Sequence, residues 1–183
     1  MDDLKKTQDL NMSEGNPVYV SNAGIVLLNP FISHLFRMLD FLGADRKFKS
    51  REDQIRSAYM LQYAVFERTD FPEHELVLNK ILVGLPVDVA IPKEIELTEK
   101  EKETVDAMLQ GAMSHWEKLR RSSINTLREA FLKRSGSFTV SRDNFNVLKV
   151  EPKPYDMLLD SLPWSYQILA YSWLDKPIQV EWR

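Results

Sequence analysis

The chain has 183 residues, 44% hydrophobic and 28% charged, enough for one domain with a packed core and too few for more than two small ones. Its formal net charge of -3 gives no bulk field to draw nucleic acid or an anionic membrane. There is no cysteine, which excludes disulfides, thiolate catalysis and cysteine-ligated zinc and fits a reducing, cytosolic origin.

The opening "MDDLKKTQDLNMSEGN" is polar, mixed in charge and without an apolar signal-peptide core. Residues 1–16 are expected to be a disordered tail or a cloning boundary, and residues 17–183 a single α+β domain. "VYVSNAGIVLLNPFISHLF" begins as an alternating strand and turns at Asn22-Ala23-Gly24. It then runs apolar through Ile25-Val26-Leu27-Leu28 into Asn29-Pro30. The run is far too short for a bilayer, which takes about 20 apolar residues. It reads instead as the segment that packs the first helix onto the sheet, and Ile25 and Leu28 are candidates for also meeting a partner subunit.

Pro30 stands where a helix starts, with Asn29 before it as a cap. Phe31, Leu35, Met38, Leu39 and Leu42 recur at helical spacing, and Gly43 is a natural stop. A second helix is expected from about Glu52 to Phe66, with Ile55, Tyr59, Gln62 and Phe66 along one face. Pro72 and Glu73 open a third, striped by Val77, Leu78, Ile81 and Leu82 and closed by Gly84 and Pro86. After an extended connection, Thr98 and Glu101 have the spacing of a capping box. Val105, Met108, Ala112, Trp116 and Leu119 line one face of the helix that follows. Ser122 or Ser123 caps a further helix that buries Leu127, Phe131 and Leu132 and stops at Gly136.

Beyond Gly136 the pattern changes. "SFTVSRDNFNVLKVE" is two strand-like runs around Arg142-Asp143-Asn144, a hairpin pattern. "PYDMLLDSLPW" is a short helical turn ended by Pro163, and "SYQILAYSW" and "IQVEW" are two more strand candidates. Helices first and strands last argue for an α+β fold: amphipathic helices packed on a small antiparallel sheet built mainly by the C-terminal third. The capped helix from Thr98 is expected close to that sheet.

The chemistry-bearing residues form no catalytic pattern. His34, His74 and His115 are far apart, and none has the i, i+4 partner of a zinc-protease helix. Asp156 and Asp160, four apart on a short helix, read as a solvated face rather than an acid–base pair. Lys118, Arg120, Arg121, Arg128, Lys133 and Arg134 make a basic stretch, but Trp116 and Phe131 fall on the apolar side of it, so it lacks the interleaved aromatics of a nucleic-acid surface. "RRSS" has the look of a kinase target, although helix capping accounts for its serines. There is no phosphate-binding glycine loop, nucleophile elbow or dinucleotide fingerprint. No catalytic, cofactor-binding or metal-ligating residue is assigned, and neither nucleic acid nor membrane insertion is expected.

Four tryptophans stand out, three of them within the last twenty residues: Trp164, Trp173 and Trp182. They either fill the space between sheet and helices or mark an interface. A terminal strand is often an edge that accepts another chain. The candidate partner-interface residues are therefore Ile25, Leu28, Trp164, Trp173, Gln179 and Trp182.

A resemblance enters with the order of these pieces. Asn22-Ala23-Gly24 precedes an apolar run and Pro30. Gly84 is followed by Leu85-Pro86. His115-Trp116 leads into an arginine-bearing helix that ends at Arg134 and Gly136. Leu162-Pro163-Trp164 is followed at the end by Val180 and Trp182. From Val18 on, this succession resembles the tape measure protein family of contractile injection systems, phage-tail-like particles with a sheath around a rigid tube. Its globular, C-terminal-type region is the part resembled. No single piece is specific; their order and spacing together are. The resemblance implies a non-enzymatic component that sets tube length or assembles the tube on its baseplate. Its partners would be tube, baseplate or cap subunits, and it would be cytoplasmic during assembly or inside the finished particle. One feature departs from a ruler. Even a continuous helix of this length would reach only roughly 270 Å, and the proline and glycine breaks forbid one. The chain is then either the globular end of a longer protein or a short adaptor. A scaffold or regulatory binding module unrelated to such particles is the alternative, and an enzyme of unrecognised type a third.

Overall fold

The computed structural model describes residues 12–183 and is α+β, with the sheet mostly C-terminal. In chain order, β1 (Val18–Val20) leads through a 3-10 turn (Ala23–Leu28) into α1 (Asn29–Met38) and α2 (Arg51–Phe66). A second 3-10 turn (Glu73–Leu76) enters α3 (Val77–Leu82), followed by α4 (Glu99–His115) and α5 (Ile124–Leu127), which continues as a π turn (Arg128–Leu132). Then come β2 (Gly136–Thr139), β3 (Asn146–Val150), a 3-10 turn (Asp156–Ser161), β4 (Ile168–Leu169) and β5 (Ile178–Glu181).

The tail expected over residues 1–16 lies largely outside the described residues. From Met12 the chain packs against the core, and the Gly15 amide donates to Val140 O at 3.2 Å.

Local signals explain most helix boundaries. The Ser50 hydroxyl accepts from the Asp53 amide at 3.1 Å, and Glu52 and Asp53 occupy the positive first turn of α2. The Thr98–Glu101 capping box is complete, each side chain accepting from the other's backbone amide. Ser123 caps α5. Asn29 does not cap α1. Leu28 holds that position without a side-chain bond, and the Asn29 side-chain Nδ2 instead donates to Ser165 O and Ile168 O at 3.2 and 3.3 Å. The buried face of α1 is Ile32, Leu35 and Phe36, and Met38 is 60% exposed, so the stripe read from spacing is rotated.

Helix α2 is the centre of the fold. Every residue from Ser57 to Val65 is buried, which a one-face reading of Ile55, Tyr59, Gln62 and Phe66 did not anticipate. Helices α3 and α4 and the π turn pack around it. The capped helix α4 packs mainly on α1, α2 and α5 rather than on the sheet. The bridge between the layers is the apolar 3-10 turn, which touches β3 on one side and α1, α2 and the π turn on the other. All six of its residues are buried. Gly24 permits this closeness: a Cβ there would come within 1.7 Å of the Phe131 carbonyl oxygen.

The sheet order is β1-β2-β3-β5-β4. It is mixed rather than antiparallel, because β3 and β5 run parallel, with Leu148 opposite Val180. Parallel neighbours need a long crossover, and here the segment 151–177, carrying a 3-10 turn and β4, provides it. The last strand is therefore interior, flanked by β3 and β4, and the edges are β1 and β4. Gly136 begins β2 instead of stopping a helix.

Candidate functional site

The C-terminal third is fastened to the helices by its aromatic donors. The Trp164 indole donates to Leu27 O at 2.7 Å, and the Trp173 indole to Leu82 O at 2.8 Å. The Tyr171 hydroxyl donates to Asn29 O at 3.2 Å. Leu82 closes α3, so its carbonyl has no partner within the helix and would be an orphan without that indole. Tyr171 stacks on Trp173 with centroids 4.7 Å apart, and burial pushes its phenol far up. The left-handed Gly84 (φ 73°) leaves room for the Trp173 carbonyl, which would lie 2.7 Å from a Cβ there.

The fourth fastening is a buried ion pair. Arg134 is 1% and Asp156 3% exposed. The Arg134 guanidinium donates from both terminal nitrogens to the two Asp156 oxygens. Asp156 Oδ2 also accepts from the Lys153 amide at 2.8 Å and from the Trp182 indole at 3.0 Å. Burial opposes the charge on Asp156, but these donors more than offset it and hold the carboxyl below its ordinary value. The Phe131, Tyr155 and Trp182 rings surround the guanidinium, each centroid within 6 Å. The solvated face read into Asp156 and Asp160 is thus corrected at Asp156; Asp160 is exposed and pairs with Arg183 at 3.1 Å. The basic stretch divides as well. Arg128 and Arg134 are buried, and Arg128 Nε donates to Ala64 O at 2.9 Å.

Other buried polar groups serve the core. Asn22 and Asn79 are 2.5 Å apart, and Asn79 donates to Gln62 Oε1 and Ala58 O at 2.8 and 2.9 Å, tying the 3-10 turn to α2 and α3. Lys80 is buried and its ammonium donates to Glu73, Val87 O and Val89 O. The Tyr59 hydroxyl has no partner among the described residues, and burial pushes it up to about 12. The His115 ring nitrogen Nδ1 lies 2.8 Å from Gly111 O, and His34 Nδ1 lies 3.2 Å from Arg37. Among the described residues no three His, Asp or Glu side chains gather as a metal site, and no helix is long and apolar enough to cross a membrane.

The six candidate interface residues are scattered by burial. Ile25 and Leu28 lie in the core, and Trp182 is buried on Asp156. Trp164 and Trp173 are half-buried with their donors turned inward. Gln179 is exposed. It belongs to a surface that single residues did not reveal, the open face of the sheet. Cross-strand register places Thr139, Val147, Gln179 and Ile168 in one row, and Tyr19, Ser137, Lys149 and Glu181 in the next. Tyr19 is 80% and Ile168 49% exposed, one on each edge strand. Phe138, Leu148, Ile178 and Val180 point the other way, into the core. The pleat period of two carries this division, but it becomes legible only once the strand order is known.

Among proteins of known sequence, a family model described as contractile injection system tape measure protein matches residues 2–182. No curated protein and no solved structure gives a significant match.

Proposed function

From the premise that the chain belongs to the contractile injection system tape measure protein family, we propose that it is a non-enzymatic assembly or length-control component of a contractile injection particle. It docks on tube, baseplate or cap subunits, in the cytoplasm during assembly and then within the particle. The observation that carries this reading is the family match over nearly the whole fold. The open sheet face supplies the surface. Exposed Ile168 ends the row of Thr139, Val147 and Gln179, and exposed Tyr19 begins the neighbouring row of Ser137, Lys149 and Glu181, a mixture of apolar and polar groups that suits an interface also exposed to water when free. Gln179 lies in the first of these rows, between Val147 and Ile168. The role is that of a folded adaptor. The longest helix, α4 with 17 residues, spans only about 25 Å, so any ruler function rests on chain outside this fold.

The test is particle assembly with Tyr19→Glu and Ile168→Glu introduced together. Both side chains are exposed, so the variant keeps its fold by circular dichroism and thermal melting. Particles are then few or abnormal in tube length by electron microscopy. Normal particles, built with the folded double variant at ordinary abundance, would remove the sheet face from the proposal.

A further inference from the structure

A groove with an apolar floor and an acidic rim opens where the C-terminal end of α2 meets the N-terminal end of α4. Its volume is about 500 Å³, and Tyr63, Ile95 and Leu97 form its floor. Glu67, Asp70, Glu94 and Glu96 line it against two cations, Arg68 and Lys102. Both cations are already engaged. Arg68 pairs with Asp70 at 2.9 Å and lies over the Phe71 ring, and Lys102 reaches Glu99. Glu67 faces Arg128 at 3.4 Å. Glu94 and Glu96 are exposed and have no ion-pair partner among the described residues.

The opposite charge sits at the other end of α4. The loop after His115 carries Lys118, Arg120 and Arg121, all exposed, against one carboxylate, Glu117. None of the three cations has an ion-pair partner among the described residues, and the Arg120 side chain donates from Nε to the Ser114 carbonyl, at 3.3 Å. The loop is shaped in advance. Leu119 is buried, and hydrogen bonds donated by the Leu119 amide to Trp116 O and by the Ser122 amide to Leu119 O, each 2.9 Å, fix its turns. A preformed cationic loop loses little freedom on docking. It cannot reach its own groove, because the 17 residues of α4 hold the two about 25 Å apart.

We propose that copies of this chain associate head to tail, the Lys118–Arg121 loop of one copy entering the acidic groove of the next. Such a contact is heterologous, so it propagates beyond a dimer, into a ring where the rotation closes and into an open chain where it does not. It uses a different surface from the open sheet face and stands independently of the function proposed for that face.

Light scattering and sedimentation of the purified chain test this. At about 0.1 M salt, where the Debye length is about 10 Å, the average mass rises with concentration beyond that of a dimer. At about 1 M salt, where that length is about 3 Å, it falls toward one chain. Glu94→Lys with Glu96→Lys abolishes the rise, and so does Lys118→Glu with Arg121→Glu. Mixing the two variants restores it, because the reversed groove now accepts the reversed loop. A wild-type chain that stays monomeric at low salt would overturn the proposal, as would association that neither variant weakens or that mixing fails to restore. Monomeric protein that binds a lysine- and arginine-rich peptide through Glu94 and Glu96 would assign the groove to a foreign basic partner instead.

Discussion

Asp156 Oδ2 accepts the Trp182 indole N–H at 3.0 Å while the same carboxylate faces Arg134 in a site almost closed to water. One carboxyl at the start of the Asp156–Ser161 turn thus joins the link between the π turn and β2 to the residue that follows β5. Removing it strands a buried guanidinium. Asp156→Ala is expected to cost about 3–5 kcal/mol, the range for breaking a buried pair from one side, read from urea denaturation. A loss below about 1 kcal/mol would mean that water reaches the pair.

The pH dependence follows with a definite sign. The folded Asp156 carboxyl titrates below its unfolded value, so its contribution is complete above about pH 4, the unfolded carboxyl range. It is lost as pH falls through the lower, folded value. Asp156→Asn therefore lowers stability at neutral pH and flattens the acid limb of a stability-versus-pH curve below about pH 4. An unchanged acid limb in the folded variant would show that other carboxyls govern acid unfolding.

Two glycines make a matched pair. Gly24 faces the Phe131 carbonyl, and any Cβ would collide with backbone, which cannot swing aside as a side chain can. Gly111 lies inside α4, and a Cβ there meets nothing within 4 Å. Gly24→Ala is expected to destabilise by about 1–3 kcal/mol or more. Gly111→Ala is expected to stabilise by about 0.5–1 kcal/mol through helix propensity. Thermal melting separates the two, and equal shifts of one sign would contradict the packing at Gly24.

Trp116 continues the stripe of Val105, Met108 and Ala112 and lies against Phe131 with centroids 4.9 Å apart. Its indole donates to Ser161 at 3.0 Å. Trp116→Ala is expected to cost about 3–5 kcal/mol through the cavity it leaves. Trp116→Phe keeps the ring contact and gives up chiefly the hydrogen bond, about 1 kcal/mol. Chemical denaturation of both variants gives the comparison, and near-equal losses would assign the residue's worth to the bond rather than to its volume.

How far the sequence carries the fold is clear at particular residues. The Thr98–Glu101 box, the hairpin around Arg142-Asp143-Asn144 and the order of helices and strands are local, and short-range chemistry writes them directly into the chain. Nonlocal facts are silent there. Asp156 and Asp160 share a helical spacing, but only Arg134, 22 residues away, decides that one is buried and the other exposed. The tryptophans announce themselves by composition, yet the destination of each indole N–H is a carbonyl or carboxylate that tertiary structure supplies. The parallel pairing of β3 with β5 depends on a crossover, not on the pattern within either strand. The open sheet face follows from that pairing, and so was only partly visible in the exposed position of Gln179.

Gln179 allows the proposed docking to be tested apart from folding. Had β5 been an edge, a proline at this position would have blocked pairing with another chain and spared the domain. Its place between β3 and β4, with Val147 and Ile168 as cross-strand neighbours, changes the outcome. Proline within an interior strand removes a donor and distorts the ladder on both sides. Gln179→Pro is therefore expected to unfold the sheet, with a loss of about 3 kcal/mol or more. Gln179→Arg places its added charge on the exposed face, and the domain keeps its stability within about 0.5 kcal/mol, as surface changes usually do. Denaturation of the purified variants measures the first contrast. Particle counts and tube lengths with Gln179→Arg measure the second, and are expected to fall or vary while the fold holds. A stable Gln179→Pro variant would mean that β4 does not hold the outer side of β5. Ordinary particles with Gln179→Arg would place the docking contact away from the centre of the sheet.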